Sequence, residues 1–161
     1  MTKIMSCLWF DDNADEAANF YASIFKGFRR GRTAYYTEAG FENHGRPTGS
    51  IMTIEFELLG HSFLAINGGP VFKFNEAHSI VIGCENQEEI DYYWSRLTAN
   101  GGEEGPCGWL KDRFGLSWQV TPLALGDMLV DPDKIKVARL TDAYMQMKKF
   151  DLKALKAAFA K

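Results

Sequence analysis

The chain has 161 residues, a formal net charge of -3 at pH 7 and a hydrophobic fraction of 46%. That length suits one ordinary domain or two small fused modules with a real core, and the composition excludes a disordered or disulfide-scaffolded chain. The acidic balance gives no electrostatic reason to expect nucleic acid, because the one basic cluster, Arg29, Arg30 and Arg32, suits an exposed strand.

Three cysteines, Cys7, Cys84 and Cys107, are odd in number and form no C-x-x-C pair, which points to a reducing compartment rather than a zinc ribbon. The apolar run before Asp11 and Asp12 is too short for a signal peptide, and no stretch approaches a membrane span. A cytoplasmic protein without a membrane or nucleic-acid partner is expected.

Residues 4–10 read as a strand ending in the cap-rich Asp11-Asp12-Asn13 turn. Ala17, Phe20, Tyr21, Ile24 and Phe25 then fall on one helical stripe, with Asp15 and Glu16 at the end where the helix dipole favours negative charge. Residues 29–36 predict a strand and 37–49 a loop, whereas 50–58 alternate, with Met52, Ile54, Phe56 and Leu58 on one face. Gly60 turns the chain into a strand over 61–67, and Gly68-Gly69-Pro70 breaks it ahead of an irregular connector.

A further strand is expected over 78–84, then a helix opened by the capping box Asn86-Gln-Glu-Glu89, with Ile90, Tyr93, Trp94 and Leu97 as its buried stripe. Trp109-Leu-Lys-Asp112-Arg-Phe-Gly115-Leu-Ser-Trp-Gln-Val-Thr121 predicts two strands joined by a turn at 112–115. Past the turn Leu116, Trp118 and Val120 alternate with Ser117, Gln119 and Thr121, so a row of small polar groups occupies one face. Residues 125–130, 133–147 and 151–159 read as helices, and Leu152, Leu155 and Phe159 form a stripe that must be covered.

A displacement of 73 positions lays Asn13 on Asn86, Glu16 on Glu89, Phe20 on Tyr93, Tyr21 on Trp94 and Ile24 on Leu97, and Ser6 on Ser79. Each half is then a strand, a helix and a run of further strands. Two such βαβββ modules, pairing their sheets into a curved mixed surface around a cleft, would make an α+β protein with a C-terminal helical extension. The expected boundaries are residues 1–122 for the two-module domain, with modules at about 4–70 and 75–122, and 123–161 for the extension.

The opening Leu-Trp-Phe-Asp-Asp-Asn-Ala-Asp-Glu-Ala-Ala-Asn-Phe-Tyr run, Asn67-Gly-Gly-Pro70, Cys84-Glu-Asn-Gln-Glu-Glu89 and Asp112-Arg-Phe-Gly-Leu-Ser-Trp-Gln119 carry a family resemblance. Together they resemble the PhnB-like branch of the glyoxalase/bleomycin-resistance/dihydroxybiphenyl-dioxygenase superfamily, the vicinal oxygen chelate fold. Several members of that branch bear the label 3-demethylubiquinone-9 3-methyltransferase. The resemblance covers about residues 4–122 and implies a homodimer.

In metal-dependent relatives, His and Glu side chains from equivalent strands of the two modules converge on a divalent ion that acts as a Lewis acid. The resemblance places those positions at Ser6 or its neighbour Cys7, Asn67, Ser79 or its neighbour His78, and Gln119. Neutral hydroxyls and amides supply no anionic ligand, so neither a metal nor another cofactor is expected. His78 is the candidate catalytic base if its strand register points it inward, and a surface residue if it does not.

The methyltransferase label implies a glycine-rich strand-to-helix turn for a nucleotide-derived donor, which neither Asp11-Asn13 nor Cys84-Asn86 supplies. A polar floor of Ser6, Asn67, Ser79, Ser117 and Gln119 within walls of Leu8, Phe10 and Trp109 has the composition of a small-molecule site. Three functions compete: a metal-free protein that binds or sequesters an unknown small molecule, an enzyme of the same superfamily, and an interaction module whose cleft is filled by its own side chains or tail.

Overall fold

The computed structural model describes residues 2–161. The chain forms two compact units, Met1–Lys73 and Phe74–Lys161. The first unit runs β1 (Ser6–Phe10), α1 (Ala14–Ile24), β2 (Arg29–Tyr35), a single helical turn α2 (Phe41–His44), β3 (Ile51–Leu58) and β4 (His61–Asn67). Its sheet has the order β1-β4-β3-β2, with β1 parallel to β4 and the other pairs antiparallel.

Strand alternation decides what this sheet buries. Leu8, Phe10, Ile54, Phe56, Leu58, Phe63 and Ala65 point to the side covered by Ala14, Ala17, Tyr21 and Ile24 of α1, and all are buried. Phe56 stacks on Phe63 at 5.1 Å between centroids and lies 6.0 Å from Tyr21. Each buried side chain of this size contributes about 1.5–3 kcal/mol of transfer free energy, which explains the amphipathic stripe of α1. The segment 37–49, expected to be a loop throughout, forms α2 where the His44 ring packs 4.6 Å from Tyr36.

The second unit repeats the plan: β5 (Ile80–Cys84), α3 (Gln87–Leu97), β6 (Glu103–Glu104), β7 (Trp109–Lys111) and β8 (Ser117–Pro122), in the order β5-β8-β7-β6. Three helices follow, α4 (Leu123–Leu129), α5 (Lys134–Met145) and α6 (Leu152–Ala160). The displacement of 73 carries α1 onto α3 residue for residue, but the preceding strands match only at 74, Phe10 on Cys84. Asp11, Asp12 and Asn13 link β1 to α1, whereas only Glu85 and Asn86 link β5 to α3. One residue exchanges the two faces of a strand, so Ser6 corresponds to Ile80 and not to Ser79.

The helix starts differ as well. Asn86 accepts from Glu89 N at 2.9 Å, the capping half of the box that the sequence predicts, whereas the Glu89 carboxylate accepts from Glu85 N, one residue before the cap, at 2.8 Å. Asn13 makes no such bond. Its place is taken by Asn67, whose Oδ1 accepts from Ala14 N at 2.9 Å while Nδ2 donates to the Ile51 carbonyl at 3.0 Å. Asn67→Ala should therefore cost about 1–2 kcal/mol in urea unfolding, and Asn67→Asp, which keeps the acceptor and loses the donor, should recover part of it. Wild-type stability in the alanine variant would remove the capping role.

The C-terminal helices bury Leu125, Leu140, Phe150 and Leu155 together, flanked by Cys107, Tyr144, Met147 and Phe159. Gln87 of α3 clamps this segment, donating to the Phe150 carbonyl at 3.0 Å and accepting from Leu152 N at 2.8 Å, while Lys149 pairs with Asp91 at 2.5 Å. The stripe through Leu152 and Leu155 is thus covered inside its own unit and needs no second chain to cover it.

Candidate functional site

The second sheet lies with one face on α3; on the other, the open face, Val81 is exposed and Trp109, Lys111 and Gln119 are half-buried. Ile82, Cys84, Leu110, Trp118 and Val120 are buried on the α3 side along with Ile90, Trp94 and Leu97. The register sets Trp109 and Val81 on either side of Gln119, and Lys111 between Ser117 and Glu103, so two rows cross the open face. The Gln119 side-chain amide donates to Ser79 Oγ at 2.8 Å.

Asp112 aligns these rows. Its carboxylate, 2% exposed, accepts from Phe114 N at 2.9 Å and Leu116 N at 3.1 Å through Oδ1, and from Trp118 Nε1 at 2.8 Å through Oδ2. Gly115 N closes the turn on the Asp112 carbonyl at 2.9 Å. An aspartate at the start of a turn bonds its own backbone two residues on, and here the same carboxylate also holds a core indole.

Beside these rows lies a cavity of about 380 Å³ whose lining includes Trp109, Pro106, Lys111, Glu76, Glu103 and Ser117. The polar row of β8 thus faces this cavity at Ser117. That residue has no exposed surface, and its Oγ has no hydrogen-bond partner. A buried hydroxyl left unpaired costs about 1–3 kcal/mol, so its presence calls for an explanation.

Lys111 Nζ lies 2.5 Å from Glu76 Oε1. The hydrogen bond from Lys111 holds the Glu76 carboxyl below the usual glutamate range, and the same bond raises Lys111. Glu76 is lowered in the folded chain, so the pair's stabilisation is present above the ordinary glutamate pKa and is lost as pH falls through the depressed value.

Of the residues singled out in the sequence, Ser79, Trp109, Ser117 and Gln119 come together on this open face, and Trp109 and Ser117 line the cavity. The other four lie in the first unit. Leu8 and Phe10 are buried beneath α1 at 1% and 3% exposure, Asn67 is engaged as the α1 cap, and Ser6 shares their strand face with its Oγ 2.9 Å from His61 Nε2. The open face of the first sheet instead carries Cys7 and Trp9 beside Leu64 and Ile66.

The Gly-Gly step after Asn67 belongs with Trp9. The indole lies so close over Gly68 that a Cβ there would collide with it, and Trp9 Nε1 donates to the Gly69 carbonyl at 2.8 Å. By strand register the first-unit counterpart of Gln119 is Leu64, and Asn67 corresponds to Pro122.

His78 precedes β5, is exposed, and stands one residue out of phase with Ser79. Cys84 is no nucleophile, since burial and then the Glu89 charge push its thiol up to about 12. Sequence reasoning passed over Lys111, Glu103 and Glu76. Lys111 was recoverable by alternation from Trp109; the other two lie in a two-residue strand and a connector, where no periodicity exists.

The donors do not suit a divalent ion. Gln119 and Ser79 are neutral and satisfy each other, Leu64 offers no donor, and among the described residues no group of three or more His, Cys, Asp or Glu is placed to hold a metal. No helix among these residues is long and apolar enough to cross a membrane.

A βαβββ unit occurring twice, each with a four-stranded mixed sheet, defines a glyoxalase-like protein of the vicinal oxygen chelate superfamily. The chain belongs to the PhnB-like family described as 3-demethylubiquinone-9 3-methyltransferase, whose model matches residues 2–121.

It is similar to a PhnB protein from Bacillus cereus at 32% identity and a TM-score of 0.63, covering 75% of this chain and 99% of that one. Protein PA1353 from Pseudomonas aeruginosa is 20% identical at a TM-score of 0.59, covering 76% and 98%. The fosfomycin resistance protein FosX from Listeria monocytogenes is 17% identical at a TM-score of 0.47, covering 73% and 87%. No curated protein matches the chain significantly.

Proposed function

We propose that this chain is a small-molecule binding protein that works without a metal, its ligand seated in the cavity bounded by Trp109, Lys111 and Ser117. The observation that carries this reading is the Ser117 hydroxyl, fully buried at the cavity and without a partner. Pockets of about 300–1,000 Å³ with apolar walls and a few fixed polar groups are the usual form of such sites. Trp109 supplies the wall, Ser117 and Lys111 the polar groups, and the Gln119–Ser79 pair the adjoining floor.

The methyl transfer in the family description is not part of this proposal. Both strand-to-helix turns, Asp11-Asp12-Asn13 and Glu85-Asn86, lack the glycine that lets a backbone approach a nucleotide-derived donor. Superfamily catalysis through His78 is the weaker reading, because the exposed imidazole stands out of phase with the open face. A homodimer, implied by the family resemblance, and a cytoplasmic location, suited to three free thiols, are proposed with it.

The test is a thermal-shift screen of a metabolite library against wild type, Trp109→Ala and Ser117→Ala, with elemental analysis of protein purified without chelators. Ser117→Ala removes an unpaired hydroxyl, so it should keep or gain up to about 1 kcal/mol of stability while losing the shift given by hits. Hits unaffected by both substitutions, or a stoichiometric divalent metal, would overturn the proposal.

A further inference from the structure

We propose that the ligand of this cavity carries a cationic amine on a small apolar or aromatic body, an inference that rests on the binding reading above. Glu76, Glu103 and Glu104 are among the lining residues with Lys111 as their one cation, but the ladder turns the Glu104 carboxylate to the α3 face, which leaves Glu76 and Glu103 on the cavity side. Lys111 is taken up by Glu76 at 2.5 Å. Glu104 accepts from Trp94 Nε1 at 2.9 Å through Oε1, and its Oε2 is 4.0 Å from Lys148 Nζ. Glu103, exposed and opposite Lys111 in the ladder, adds a further negative charge to the same wall.

The uncompensated charge of Glu103 selects a cation, because an anion would have to draw Lys111 from Glu76 and remain beside Glu103. Ser117 Oγ is fully buried at the cavity with its lone pairs unused, and it accepts an N–H from an ammonium that shifts the side chains covering it. Trp109 offers an indole, the aromatic side chain that attracts cations most strongly across its face. A volume of about 380 Å³ is at the small end of ligand pockets, which suits one ring and a short amine-bearing arm.

Three probes of one shape separate the possibilities at pH 7: phenethylamine, phenethyl alcohol and 3-phenylpropionate. Each is titrated into the whole chain by calorimetry and by NMR, following the Trp109 indole resonance assigned through Trp109→Phe. The amine should bind at least tenfold more tightly than the alcohol and the acid. Glu103→Gln, a change at an exposed position, should cost the amine about fivefold and leave the alcohol unchanged, and added NaCl should weaken the amine alone.

Equal or tighter binding of the acid or the alcohol, with the Trp109 resonance shifting, would overturn the ammonium proposal and leave the cavity as the binding site. Failure of all three probes to shift that resonance would overturn the cavity reading itself.

Discussion

Replacing Asp112 with alanine should cost about 3–5 kcal/mol, the largest loss expected from any single side chain of the β7–β8 turn. The carboxylate is 2% exposed and serves three donors, Phe114 N, Leu116 N and Trp118 Nε1. Alanine leaves all three unanswered, at about 1–3 kcal/mol for each donor that water cannot reach. For a chain of this length, ~4 kcal/mol lowers Tm by about 8–16 °C. Asp112→Asn should fall between wild type and alanine, since an amide retains an oxygen for the turn but sets an N–H against the Trp118 indole N–H. Calorimetry and urea titration read both, and a loss below about 1 kcal/mol for alanine would show that the turn holds without its carboxylate.

The second large effect is expected at Gly108. Its φ is +79°, and an added Cβ would lie 2.5 Å from the Phe150 ring and 2.8 Å from the Val120 carbonyl oxygen. Its backbone is committed on both sides, donating to the Lys148 carbonyl at 2.7 Å and accepting from Val120 N at 2.8 Å, while Cys107 N donates to the Met147 carbonyl at 2.7 Å. Left-handed strain costs alanine about 1 kcal/mol and the collision about 1–3 kcal/mol more.

The collision is relieved most cheaply by moving Phe150, which belongs to the small core of α4 to α6. Gly108→Ala should therefore lose about 3 kcal/mol and loosen the C-terminal helices first. Hydrogen exchange should show lost protection at Leu152 N, held by Gln87, before the amides of β8 respond. Uniform loss across the unit, or no loss, would contradict this docking.

Much of the architecture was legible because its signals are local. The stripes of α1 and α3, the Asn86 cap and the alternation of β8 each involve residues within one or two turns of one another, and each appears where the pattern places it. The single helical turn at α2 was missed because four residues carry no period, and packing of His44 on Tyr36 accompanies it.

The site was half legible. Placing Ser6 and Asn67 in one cleft with Gln119 rested on the family resemblance, and setting Ser6 on Ser79 carried a helix alignment back across a turn one residue longer in the first unit than in the second. That residue turns the strand over, so Leu8 and Phe10 lie in a core and Cys7 and Trp9 face out.

The sequence by itself determined that there are two βαβββ units, which face of each strand is apolar, and that Ser117 and Gln119 share a side. Only the tertiary structure decided that Asn67 closes a helix, that the C-terminal stripe is covered by its own unit, and that Lys111, Glu76 and Glu103 meet at a cavity over Ser117. The reason is range. Side-chain alternation and capping are written in neighbouring residues, whereas register and the convergence of a connector with an edge strand depend on pairing between segments far apart in the chain.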